Sequence, residues 1–157
     1  MKHWWHALVV LWPLTVGGAD PSPAGVVKLQ TQLQADAVYD RVYKALESQR
    51  FWVVHEDNLG ERMARNAEQR AVDYNRNRLG TVRSLAFGNL EWTNALANAD
   101  PDLLAFFPLH LTVFERGGTS YLVLPRLAIL AKDSPGESRV RELEAEVRRI
   151  LEQALEE

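Results

Sequence analysis

The chain contains no cysteine. That absence rules out disulfides, thiolate metal sites and thiol nucleophiles, so stability must come from a packed core. Histidine is scarce: of four in the chain, His3 and His6 sit in an N-terminal stretch unlike the rest, leaving His55 and His110. Neither of those stands at metal-ligand spacing with another histidine, so no metal is read from them. Basic residues are in deficit, with 18 Lys+Arg against 21 Asp+Glu and a formal net charge of −3, which argues against nucleic acid as a partner. No serine lies in a G-x-S-x-G setting, no carboxylate pair carries an acid–base signature, and no glycine-rich phosphate loop is present. Catalysis therefore has no positive support in the sequence, and no cofactor is implied. Internal repeats and low-complexity tracts are also missing.

Long apolar runs are absent but for one. After Lys2, "WWHALVVLWPLTV" is almost wholly apolar and gives way to Gly17, Gly18 and Ala19 before Asp20. It falls short of the roughly 20 residues that a spanning helix needs. Residues 1–19 read as a secretory signal peptide with cleavage after Ala19, the alternative being an uncleaved N-terminal anchor. The expectation is an exported protein, periplasmic or extracellular, with no membrane attachment once the signal is removed. Cleavage takes away Lys2 and no acid, leaving the chain more acidic still. "DPSPAG" at residues 20–25 reads as a short tether.

What remains, residues 26–157, has the length and composition of one soluble domain; the full chain of 157 residues is 46% apolar and 25% charged. "VVKLQT" from Val26 alternates as a strand, with Val27, Leu29 and Thr31 on one face. Val38, Val42, Ala45 and Leu46 then recur at helical spacing over residues 36–49. "FWVVHE" is a second strand ending near Asp57, with His55 expected on the face of Phe51 and Val53. Residues 59–79 are helical in places and end in the loop-like "DYNRNRLG". "TVRSLAF" is a third strand, and a short helix over residues 89–99 is followed by another helical turn from Asp102. "LHLTVFE" alternates clearly, and "RGGT" turns it into "SYLVL", where Pro125 suggests an edge or bulge before "RLAILA". Ser134 to Glu137 matches a capping box, and Val140, Leu143, Val147, Ile150 and Ala154 form the stripe of a final helix. The order predicts an α+β fold, β-α-β4-α: an antiparallel sheet of about five strands with both long helices on one face.

"DYNRNRL", "VRSLAFGN" and "NADPDLLAFFPLHLTVFE", with the preceding strand-helix-strand, resemble the DUF302 family of small bacterial and archaeal domains. The resemblance spans nearly all of residues 26–157 and implies a fold like that of the TATA-binding protein, in agreement with the periodicity. It implies no biochemical activity. It also implies cysteine in relatives at the positions of Gly88 and Phe107; this chain has neither, so a thiol-based role cannot operate here.

The segment from Asn89 to Pro108 admits two readings. Its polar residues can simply make turns while its apolar ones plug the sheet, or it can form a binding loop. Trp92 within it either covers the core or is presented to a ligand or second subunit. A cluster of arginines, Arg62, Arg65, Arg70, Arg76, Arg78 and Arg83, offers fork-shaped donors suited to oxyanions or is a solvated face paired with its own acids. Arg76, Arg78, Arg83, Asn89, Trp92 and His110 are thus the candidate ligand-binding residues. The leading expectation is a non-enzymatic module that dimerises or binds a small partner through the open sheet face and the 89–108 connector; the alternative is an anion-binding sensor or enzyme built on residues 62–83, and a second alternative, suggested only by analogy with related folds that hold such cavities, is a carrier of a small apolar ligand between sheet and final helix.

Overall fold

The computed structural model describes residues 23–65, 67 and 74–156. The expected signal segment lies outside the described residues, as do residues 68–73 with Arg70 of the arginine cluster.

Five strands form one sheet in the order β1-β5-β4-β3-β2, every neighbouring pair antiparallel. The strands are β1 (Val26–Thr31), β2 (Trp52–Asp57), β3 (Leu79–Gly88), β4 (Leu109–Arg116) and β5 (Thr119–Pro125). Strands β2 to β5 run as a meander, and β1 closes the far side. Helix α1 (Ala35–Ser48) carries the chain across the sheet from one edge strand to the other. Helix α5 (Glu137–Glu156) lies beside it on the same face, and the short helix α2 (Leu59–Arg65) follows β2 and packs against β3. The predicted α+β architecture is the observed one.

The periodicities explain the layers. Along β4, Leu109, Leu111 and Val113 are buried, while His110 is exposed and Thr112 and Phe114 are half-buried. Pleating sends alternate side chains to opposite faces, so this strand offers three anchors to the helices. Val38, Val42 and Leu46 of α1 and Val140, Leu143, Val147, Ile150 and Leu151 of α5 meet them in a single core. Gly117 and Gly118, at φ 61° and 79°, make the β4–β5 turn; two successive positive φ values are what a tight hairpin demands and glycine supplies.

Two expectations are corrected. A β-bulge between Val53 and His55 adds a residue to the edge strand β2. It reverses the alternation, so Val53 faces the core while His55, opposite Ala86, joins Trp52 on the uncovered face. Pro125 is neither at an edge nor in a bulge: β5 lies between β1 and β4 and ends there, and "LAIL" forms the one-turn helix α4 (Leu127–Leu130).

Neither long helix lies on the second sheet face. Phe114 and Tyr121 stack on it with ring centroids 5.1 Å apart. Lys28 and Arg116 flank the Tyr121 ring at 4.8 and 5.4 Å. Trp52 is 51% exposed and Val54 64%.

Candidate functional site

The connector after β3 is built by caps. Asn89 is buried, and its side-chain oxygen accepts the N–H groups of Glu91 (2.9 Å) and Trp92 (3.1 Å), starting helix α3 (Leu90–Ala99). Asp100 accepts from Asp102 N–H (3.1 Å) and starts a 3₁₀ helix, Pro101–Phe106, with proline at its first position. Ser134, just before α5, donates to the Asp100 carboxylate and accepts from Gly136 N–H (3.1 Å). The expected capping box is shifted: Glu137 reaches Asp133 N–H (3.2 Å), and Arg141 at 2.5 Å together with that bond holds its carboxyl below the usual range. Gly88 leaves β3 without a positive φ, and an added Cβ there would meet only the Phe107 ring at 4.0 Å. Gly88 and Phe107 are therefore neighbours, and the Phe107–Pro108 peptide is cis.

These caps fix the 3₁₀ helix over the end of the sheet, and a cavity of about 170 Å³ opens beneath it. Ala105 and Phe106 form one wall, Leu109 and His110 at the start of β4 and Leu124 and Pro125 at the end of β5 form the floor. Leu127 and Leu130 of α4 and Glu144 and Val147 of α5 close the other side. Eight of these ten residues are apolar. Glu144 is held in place by Ala128, whose N–H donates to its Oε2 (2.9 Å) and so satisfies the start of α4. Leu130 is 61% exposed although it lines the cavity, and its neighbour Ile129 and the 3₁₀ residue Leu104 are also exposed. Apolar side chains left in water around an apolar hollow mark a place where a ligand can gain by burial.

Two other polar sites are internally satisfied. A wider cleft between the end of α1, α3 and α5 contains Asn89 and Trp92, but the Trp92 indole N–H donates to Glu146 (3.1 Å), Arg50 pairs with Glu91 (2.9 Å) and Arg139 with Glu142 (2.8 Å). Trp92 packs half-buried against the core, so both its ring and its polar edge find partners inside the chain. On the helix-covered face, the Arg83 guanidinium lies 3.5 Å over the Tyr39 ring and 3.7 Å from both Asp36 and Glu56. The Tyr39 hydroxyl donates to Glu56. Burial, then the hydrogen bond to and charge of Glu56, push the Tyr39 phenol well above the ordinary tyrosine value, with Arg83 opposing.

The six predicted site residues therefore do not converge. Arg76 and Arg78 are exposed on a turn held by Asn75, which accepts Leu79 N–H (2.7 Å) and donates to Leu79 O (2.8 Å). They stand at one end of β3, and Asn89 at the other, about 30 Å away at the rise of a strand. Arg83 is engaged by its own acids. Strand β3 separates His55 from His110, each opposite Ala86, and Glu56 points to the other face, so those three do not meet. Among the described residues no group of three His, Asp or Glu is placed to hold a metal. Of the six, His110 alone belongs to the apolar cavity. Sequence reasoning missed Leu127, Leu130 and Glu144. A signal existed in "LAILA", an apolar run too short and too uniform to be read as one-sided.

The comparisons agree with this architecture. The crystal structure of uncharacterized conserved protein DUF302 from Bacillus stearothermophilus is similar with a TM-score of 0.66, at 16% identity, over 85% of this chain and 98% of that one. A comparison with curated proteins finds no significant match. The family model described as domain of unknown function DUF302 matches residues 27–157, nearly everything after the N-terminal segment, and the chain belongs to that family.

Proposed function

We propose that the domain is a non-enzymatic binding module that takes a small apolar ligand, or the apolar end of a larger one, in the cavity between sheet and α5. The observation that carries this reading is the cavity itself: about 170 Å³, eight apolar residues in its lining, and Leu130 exposed at its wall. An apolar cavity of about 150 Å³ accommodates benzene, so the space here suits about six or seven non-hydrogen atoms. A ligand that small binds weakly, with Kd near 0.1–1 mM, unless its polar end adds contacts.

Leu130→Glu places a charge in the wall at a position already exposed and so leaves the fold intact. It should abolish the saturation-transfer NMR signal of 1-hexanol. Leu90→Glu, at an 81% exposed position on α3 that does not line the cavity, should leave that signal unchanged. Equal binding by both variants would remove the cavity as the binding site.

Self-association through the uncovered sheet face is a second reading, favoured by the exposed Trp52 and Val54 on β2. Sedimentation should then show a concentration-dependent dimer that Trp52→Lys disperses, and a wild-type monomer at every concentration would end it.

A further inference from the structure

We infer that the cavity selects ligands whose polar end is neutral or cationic and rejects carboxylates of the same length. The inference rests on the reading of the cavity as a ligand site and concerns its charge. Glu144 is the one acidic residue in the lining, and no lysine or arginine is there to offset it. The arginines one turn away on α5 are engaged elsewhere, Arg141 by Glu137 (2.5 Å) and Arg148 by Glu152 (2.7 Å). Only Oε2 of Glu144 is used by Ala128 N–H, and a carboxylate has acceptor sites on both oxygens. A hydroxyl or ammonium at the end of a short chain can donate to the remaining oxygen, and a charge-assisted bond of that kind is stronger than a neutral one. A ligand carboxylate has no proton to donate and meets like charge against a largely apolar lining, where repulsion is screened less than in bulk water.

The remaining polar residue of the lining is His110, which can donate or accept and so accommodates an alcohol as readily as an amine. An imidazolium could attract the very carboxylates that Glu144 repels, so the imidazole must be removed in a control. Glu144→Gln keeps an acceptor for Ala128 N–H while removing the charge, which separates selectivity from folding.

The test compares hexylamine, 1-hexanol and hexanoate by NMR titration against wild type, Glu144→Gln, and each of these combined with His110→Asn. Wild type should bind hexylamine at least tenfold more tightly than hexanoate, with hexanol between. Glu144→Gln should bring hexylamine and hexanoate within about threefold of each other while changing hexanol by less than threefold, with or without His110. Hexanoate binding as tightly as hexylamine in wild type, or an unchanged ratio in Glu144→Gln, overturns the inference and leaves the cavity reading standing. Binding of none of the three overturns both.

Discussion

Replacing Gly136 by alanine probes the junction on which the cavity wall depends. A Cβ at this buried position would lie 2.4 Å from Leu103 Cδ1, 3.2 Å from Ala99 Cβ and 3.7 Å from Asp100 Cβ. The first contact is impossible without movement. Leu103 is itself buried, 4% exposed, so its methyl cannot swing into water. Either Leu103 leaves its rotamer or the start of α5 withdraws from the 3₁₀ helix. Overpacking of this kind costs about 1–3 kcal/mol. Alanine offsets part of it by lowering the entropy of the unfolded chain, worth about 0.4–1 kcal/mol where strain is absent. The net expectation is a loss of about 1–2 kcal/mol, a shift of roughly 0.5–1 M in urea midpoint at a slope near 2 kcal/mol/M. The sharper form is a double-mutant cycle. Leu103→Ala alone leaves a cavity and costs about 2–5 kcal/mol, but it also removes the clashing methyl. Gly136→Ala added to that background should cost less than about 0.5 kcal/mol, a coupling well above additivity error. If Gly136→Ala is as stable as wild type, or costs the same in both backgrounds, the close approach of α5 to the 3₁₀ helix is not what requires glycine.

Two further outcomes are expected. The raised Tyr39 phenol keeps its proton in the folded state at pH values where the unfolded chain has lost it, so its contribution is complete below about pH 10 and is lost as pH rises beyond. Tyr39→Phe should therefore flatten the fall in stability above pH 10 in chemical denaturation, and an unchanged slope would contradict the Tyr39–Glu56–Arg83 arrangement. Intact-mass measurement on protein secreted from a bacterial host should give a chain beginning at or near Asp20, whereas a full-length, membrane-retained product would overturn the reading of residues 1–19 as a signal peptide.

Much of the fold was legible because its residues follow their periods. Alternation in β4, the stripe of α5 and the glycine pair of the β4–β5 turn each state one local geometry, and packing both long helices on one sheet face buries their apolar sides together. The bulge in β2 was not legible, since an extra residue leaves no mark in "FWVVHE", and it moved His55 to the opposite face. The site is far less legible. Polar and charged residues drew attention in the sequence, yet Asn89 caps a helix, Trp92 covers the core and Arg83 is held by Tyr39, Asp36 and Glu56. The apolar lining of the cavity is four leucines, an alanine, a phenylalanine, a proline and a valine from five successive elements between residues 105 and 147, and side chains of that kind look the same whether they fill a core or line a hollow. Only tertiary placement separates the two.

Titration of 1-hexanol into ¹⁵N-labelled protein, followed by amide chemical shifts, tests the central claim most directly. The cavity reading predicts saturable shifts concentrated at Ala105 and Phe106, Leu109 and His110, Leu124, Leu127 to Leu130, and Glu144 and Val147, with one dissociation constant near 0.1–1 mM. Shifts that stay linear in ligand concentration, or that centre on Trp52, His55 and Phe114 of the uncovered sheet face, would contradict it.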